Sequence, residues 1–541
     1  MGVGADDVLL VSRSGSGLCE LRWDAGTGPP TIGADGFSER GLVVFADALA
    51  DAGVLDEETE GSDDGEPVAS SSEPQAASDN ARAAVATKTA MRGKRRVMVT
   101  YGSEPDVAGL RPPVVSWEDA PVTIGSDTQP GASVDYTVGT SLPGTLGRTG
   151  VISTPHGDIH TPAFVPVGTK ATVKTVLPES VAALGAQAVL ANAYHLYLQP
   201  GPEIIDAAGG LGKFMNWSGP TYTDSGGFQV MSLGAGFKKV ISMDATDAPD
   251  DELTANGKER LSNVDDDGVT FKSHLDGSKH RFTPEVSMQI QHQLGADIIF
   301  AFDELTTLMN TRAYQESSLE RTRLWAIRCL AEHNRLSVQR SHRPQQSLWG
   351  VIQGAQYEDL RRKASRDLVA LSDADRAAGG KGFGGYGIGG ALEKDNLGTI
   401  VGWVNSELPQ DAPKHLLGIS EPDDIFTAIE NGVDTFDCVS PTRVARNGAI
   451  YSRDGRYNVT NAKYRKDFGP LDQDTENYTS QYSRAYLHHL FKAKEGLAAT
   501  LATLHNVSFV VNLVDGARRA IESGDYIAYR DDFLGRYYAN S

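Results

Sequence analysis

From about Gly144 onward, short apolar runs alternate with longer stretches in which apolar residues recur at every third or fourth position. The short runs are Ala188 to Ala191, Asp297 to Phe302, Ser347 to Ile352, His415 to Ile419 and Val433 to Val439. Among the longer ones are Pro284 to Leu294 and Ser317 to Leu336. Runs of the first kind have the length of buried strands, and the second kind has the period of amphipathic helices, so their alternation predicts parallel βα units. The strand candidates end alike. Phe302 leads into Asp303-Glu304, Ile352 into Gln353-Gly354, and Phe436 into Asp437-Cys438. Polar groups at the carboxyl ends of successive strands are where a (β/α)8 barrel builds an active site. A doubly wound open sheet gathers groups in the same way. The pattern favours the barrel and leaves the open sheet standing.

The first 140 residues have another texture. From Asp51 to about Asn80 the chain is Asp, Glu, Ser, Gly and Ala with almost no large apolar side chain. Such a stretch buries too little surface to offset its ordering entropy, and a flexible acidic linker over about 51–80 is expected. Ahead of it, Val8 to Val11 and Gly41 to Leu49 suggest a strand and a short helix; behind it lies a basic island at Arg92, Lys94, Arg95 and Arg96. No motif emerges in residues 1–140, which read as an N-terminal extension to a main domain at 141–541.

Composition changes this picture little. A chain of 541 residues has room for one large domain and an appendage. The net charge of −21 argues against a polyanionic partner only if the charge is spread evenly. It is not: residues 1–140 carry 23 acids against 10 bases, and the remainder 48 against 40. A local basic patch on the main domain stays compatible with nucleic acid. Three cysteines, Cys19, Cys329 and Cys438, are too few and too scattered for a disulfide framework or a zinc cluster. No unbroken apolar run approaches the ~18 residues of a membrane span, and Asp6 and Asp7 stand where a secretory signal carries positive charge. A cytoplasmic protein without a membrane partner is expected.

The densest chemical signal is Thr223-Asp224-Ser225-Gly226-Gly227-Phe228-Gln229. Paired glycines behind an Asp let backbone come close to a flat ligand, although an Asx-type turn uses the same residues. Asp303 is a second acid at a strand end, where a helix N-cap is the plain alternative. The third, Asp437, is wedged between apolar residues in Phe436-Asp437-Cys438-Val439-Ser440-Pro441-Thr442-Arg443 and is the hardest to explain by structure alone.

These segments, with Gly387-Ile388-Gly389-Gly390 and the run Tyr482 to Leu490, occur here in the order found in bacterial tRNA-guanine transglycosylases, which the chain resembles over roughly Gly147 to Tyr538. The resemblance implies a (β/α)8 barrel with a small C-terminal subdomain from about 455, a homodimer, and exchange of the wobble guanine of tRNAs with GUN anticodons for a free 7-deazaguanine base (preQ1 or queuine). It implies Asp437 as nucleophile and Asp224 as general acid/base. The implied base pocket comprises Asp224, Ser225, Gly226, Gly227, Phe228, Asp303, Gln353 and Gly390. A carboxylate at Asp303 suits the N1–H and N2–H₂ donors of guanine, and the Gln353 amide suits O6. By the same resemblance the anticodon loop meets Gly418, Ile419, Ser420, Glu421, Pro422, Asp423 and Asp424, and Thr442, Arg443, Val444, Ala445 and Arg446. The insert Phe237-Lys238-Lys239-Val240 is similar to actinobacterial members.

The chain departs from the family in one cluster and, to a smaller degree, at Leu305 and in the loop after Gly390. Members carry a Cys-X-Cys-X-X-Cys zinc site with a later His, whereas Thr475, Asn477 and Ser480 stand at those positions here and His505 alone remains. Hydroxyls and an amide are poor zinc ligands, so no zinc and no other cofactor are expected. Leu305, and the short loop Ala391-Leu392-Glu393-Lys394, would border the 7-substituent of the base. Two competing readings stand: a transglycosylase that uses the same pocket on DNA, and a non-catalytic partner subunit that keeps the barrel to bind tRNA. The segment Thr442 to Arg446 favours tRNA, and three retained acids favour catalysis.

Overall fold

The computed structural model describes residues 9–11, 19–21, 133–232, 262–308, 310–390, 394–475 and 477–539. Among them, eight strands pair in parallel: β1 (Ala163–Pro166), β2 (Val189–Ala191), β3 (Thr221–Thr223), β4 (Ile298–Phe300), β5 (Ser347–Ile352), β6 (Gly385–Ile388), β7 (Lys414–Leu416) and β8 (Thr435–Cys438). Their order is β1-β8-β7-β6-β5-β4-β3-β2. A parallel bridge between Val167 and Leu190, with the Gly168 amide donating to the Leu190 carbonyl at 2.6 Å, joins β1 to β2. That contact closes the sheet into a (β/α)8 barrel and removes the open-sheet alternative.

All residues of β4 to β8 are buried, as the covered faces of a parallel barrel require. Strand β6 escapes a hydrophobic reading because its sequence is Gly-Tyr-Gly-Ile. A Cβ at Gly385 would lie 2.6 Å from the Trp349 ring, and one at Gly387 2.9 Å from the Phe300 ring. The small residues make room for aromatic neighbours on β4 and β5. The helix Pro284–Leu294 has its predicted bounds, fixed by a Thr283 side chain that accepts from the Val286 amide and by a left-handed Gly295. The helix predicted from Ser317 to Leu336 instead runs Arg312–Gln339. Thr311 caps its first turn, where Arg312, Ala313 and Tyr314 are exposed and carry no apolar period.

An antiparallel sheet of Asp135–Ser141, Arg148–Thr154 and Gly157–Thr161 precedes β1, so folded structure begins ahead of residue 141. It is tied to the amino end of β8 through buried Asp434. That carboxylate accepts from Arg148 at 2.9 and 3.1 Å and from the Tyr136 hydroxyl at 2.6 Å. The chemistry-bearing ends of the strands lie opposite. The C-terminal part begins with the hairpin Ala449–Ser452 and Gly455–Asn458, slightly before 455, and continues with helices Arg484–Lys492, Gly496–Ser523 and Tyr526–Tyr537. Helix Gly496–Ser523 has the length and, at a mean hydropathy of 1.5, the composition of a membrane-crossing helix. Its His505, Asn506 and Asn512 break any continuous apolar run, and 78% of its most apolar window is buried in the protein, which makes it a core helix. In the extension, Leu9–Val11 pairs antiparallel with Cys19–Leu21, within the predicted first strand. The 51–80 linker, the 41–49 helix, the basic island and the insert at Phe237–Val240 lie outside the described residues.

Candidate active site

At the carboxyl ends of the strands a cavity of about 200 Å³ gathers Asp224, Ser225, Gly226, Phe228, Asp303, Gln353, Gly390, Gly418 and Asp437. The acids and Gln353 arrive at or just beyond the carboxyl ends of the strands. Asp224 follows β3, Gln353 follows β5, Gly389-Gly390 follows β6, and Asp437 sits in β8 beside Val165 of β1. Val167, Leu190, Phe300, Val351 and Val439 supply apolar walls. Walls of that kind around a few convergent polar groups suit a small-molecule ligand.

Asp224 Oδ1 accepts from the Ala193 amide at 2.8 Å, and Oδ2 accepts from Asn192 Nδ2 at 2.5 Å and Gln229 Nε2 at 3.2 Å. Burial nevertheless raises its pKa to about 7; the Ala193 bond works against this and the nearby Asp437 charge adds to it. Asp224 is therefore able to hold or release a proton near neutrality. Asp303 accepts from Ser225 Oγ at 3.0 Å and from Gln353 Nε2 at 2.7 Å. Its pKa rises to about 6, again through burial and against those two bonds. Gly227 is required here because a Cβ would lie 2.7 Å from the Asp303 carbonyl oxygen. Gly390, at φ +88°, would bring a Cβ within 2.5 Å of Gln353 Oε1.

Asp437 is held on one side only. Its Oδ1 accepts from His415 Nε2 at 3.0 Å and from the Gly418 amide at 3.2 Å, while among the described residues no group donates to Oδ2. Sequence reasoning missed His415, Asn192, Gln229 and the Ala193 amide as partners of the acids. Asn192 was findable, because it follows β2 as Asp224 follows β3. His415 was not, because it lies inside an apolar run.

The residues expected to meet RNA divide. Arg443 and Arg446 are half-buried on the helix Ser440–Arg446, where burial lowers the Arg443 pKa to about 10 and Arg446 donates to the Thr442 carbonyl at 3.2 Å. Val444 is likewise partly exposed. Ala445 is fully buried with Ile450 and Leu487, and Ile419 is buried in the main core. Neither presents an exposed side chain. Ser420, Pro422, Asp424 and Thr442 are buried as well. The acids of the segment are matched internally: Glu421 by Arg456, Asp423 by the Tyr538 hydroxyl and Asp424 by Lys394 at 3.3 Å. Leu305 lines the cavity; residues 391–393 lie outside the described ones.

The segment aligned with the zinc cluster forms a hydrogen-bonded knot. Thr475 Oγ1 donates to Asp472, and the Asn477 side chain and Ser480 hydroxyl form a reciprocal cap. His505 Nε2 donates to the Tyr451 carbonyl at 2.8 Å, and its Nδ1 lies 3.1 Å from Thr479 Oγ1. Both imidazole nitrogens are engaged and no thiolate is near among the described residues, so this donor set does not fit zinc. Among the described residues no group of three His, Cys, Asp or Glu side chains is arranged to hold a metal.

A parallel barrel with three carboxylates converging on one cavity at its carboxyl face defines the class: a (β/α)8-barrel enzyme with its cavity where such barrels carry their active sites. The model of the family described as queuine tRNA-ribosyltransferase matches residues 144–539, and the chain belongs to that family. Similar proteins, all named queuine tRNA-ribosyltransferase, include one from Desulforamulus reducens, 42% identical over 394 residues that cover 72% of this chain and 95% of the relative. Another, from Caldanaerobacter subterraneus subsp. tengcongensis, is 43% identical over 413 residues, covering 76% and 99%. A third, from Herpetosiphon aurantiacus, is 44% identical over 391 residues, covering 72% and 90%.

Proposed function

We propose that this protein is a tRNA-guanine transglycosylase, a pentosyltransferase that exchanges the wobble guanine of GUN-anticodon tRNAs for a 7-deazaguanine base by double displacement. The observation that carries the reading is the convergence of Asp224, Asp303 and Asp437 on one cavity, with Asp437 Oδ2 unengaged among the described residues. Base exchange breaks a glycosidic bond through an oxocarbenium-like transition state, and a carboxylate nucleophile divides that displacement into two easier ones. Asp437 Oδ2 bonds the ribose C1′ as the bond to guanine breaks and its electron pair leaves with the base. Asp224 gives the departing guanine a proton. The incoming base loses a proton to Asp224 and attacks C1′, and the aspartyl ester opens. Asp303 accepts from N1–H and N2–H₂ of either base, with Gln353 and the Gly390 backbone toward O6 and Phe228 against the ring.

In this reading the wobble nucleotide leaves the anticodon stack, at a cost of a few kcal/mol, and Arg443 and Arg446 hold its neighbours. The enzyme works in the cytoplasm as a homodimer and without zinc, its C-terminal subdomain held by the knot around His505. Incubation with radiolabelled guanine and unmodified GUN-anticodon tRNA tests the reaction. Label enters tRNA with the native chain and not with Asp437→Asn; a folded native chain that incorporates none sinks the reading. About one zinc per chain by metal analysis would sink the zinc-free assignment alone.

A further inference from the structure

We propose that His415 is a positioning residue that selects which oxygen of Asp437 attacks; this rests on the transglycosylase reading above. Strand β7 pairs with β8 so that His415 lies beside Thr435 and Leu416 beside Phe436. Thr435 and Asp437, two residues apart on β8, share one face of the strand. The imidazole spans them: Nδ1 is 2.8 Å from Thr435 Oγ1, and Nε2 is 3.0 Å from Asp437 Oδ1. The ring is fully buried and flanked by Tyr222 and Phe300, with centroids 5.6 and 5.4 Å away. An imidazole in the aromatic heart of a barrel is a poor choice for stability alone, since an apolar side chain fills such a layer without polar atoms to satisfy.

The chain of contacts assigns each atom a role. The Thr435 hydroxyl donates to Nδ1, which leaves the proton on Nε2, and Nε2–H donates to Asp437 Oδ1. With the Gly418 amide also on Oδ1 at 3.2 Å, the carboxylate cannot rotate without losing two bonds. Oδ2 is left as the oxygen presented to C1′. Fixing that oxygen matters because displacement at carbon is sensitive to distance and line of approach, and a misplacement of about 1 Å costs about 100-fold in rate.

The test compares His415→Phe, His415→Gln and Thr435→Val in the full-length chain, by steady-state guanine exchange and by single-turnover formation of the covalent enzyme–RNA adduct on denaturing gels. His415→Phe keeps the ring and loses the donor, and adduct formation and kcat are expected to fall about 100-fold with KM for tRNA unchanged. His415→Gln, whose amide nitrogen replaces Nε2–H, is expected to recover at least about tenfold of that loss. Thr435→Val frees the ring without touching Asp437 and is expected to slow adduct formation by about three- to tenfold, again without a change in KM. Should His415→Phe not fold, the His415→Gln and Thr435→Val pair carries the test. Wild-type adduct rates in these variants would overturn the proposal, as would equal impairment of the Phe and Gln variants, which would mean packing alone. A native chain that forms no adduct and exchanges no guanine would instead overturn the transglycosylase reading, and this proposal with it.

Discussion

Replacing Asp224 by Asn removes a titration that the fold opposes, and the consequence for stability changes sign with pH. In the unfolded chain this carboxyl releases its proton near 3.8; burial in the cavity raises that to about 7. Between those values the folded state binds more protons than the unfolded one, so stability falls as pH rises. At about 1.4 kcal/mol per pH unit, that interval makes ionised Asp224 cost the native state about 4 kcal/mol at pH 8. The Asn variant escapes this cost and incurs a smaller one. Asn192 Nδ2 now donates to Oδ2, and Asn192 cannot turn its amide over, because its Oδ1 accepts from the His195 amide at 3.1 Å and caps the helix Ala193–Leu198. A donor then faces a donor, and one buried hydrogen bond worth about 1–2 kcal/mol is lost at every pH. Asp224→Asn is therefore expected to be more stable than the native protein by about 2–3 kcal/mol at pH 8 and less stable by about 1–2 kcal/mol at pH 4. Denaturation midpoints of both proteins at pH 4, 6 and 8 measure this, since other titrations occur in both and cancel in the difference. The same variant is expected to lose about 100- to 10,000-fold in exchange rate. Parallel stability curves across that pH range would refute the claim that Asp224 is held protonated near neutrality.

Exchange itself should be bell-shaped in pH. The first step needs Asp303 ionised and Asp224 protonated, so kcat/KM for tRNA rises as pH passes about 6 and falls above about 7. A profile flat from pH 5 to 8 would contradict those roles. Gly227→Ala drives a methyl to 2.7 Å from the Asp303 carbonyl oxygen. It should raise KM for free guanine by about tenfold, the worth of one hydrogen bond, in a protein that still folds; an unchanged KM would place the base elsewhere. Asp434→Asn leaves Arg148 buried opposite a neutral group at the far end of the barrel. Stability should drop by about 3–5 kcal/mol with kcat of the folded enzyme retained, and an unmoved urea midpoint would refute the importance of that pair.

The chain by itself determined the strands whose interiors are uniformly apolar, the helix Pro284–Leu294 with its cap and terminal glycine, and the acids at strand ends. Those features are local: a period, a capping pair, a change from apolar to polar. Tertiary structure decided what depends on neighbours distant in sequence. Strand β6 is written in glycines because Trp349 and Phe300 take the space, and nothing within Gly385–Ile388 records that. His415 reads as one polar residue in an apolar run until β7 pairs with β8 and brings Thr435 and Asp437 onto its two nitrogens. Ala445 and Ile419 sit in segments that look like RNA contacts, yet both face inward, because the helix they border or join is packed on one side. The carboxyls of Asp224 and Asp303 are legible as residues, while their proton affinities are not. Those come from a closed barrel that excludes water around both and sets Asp437 beside Asp224.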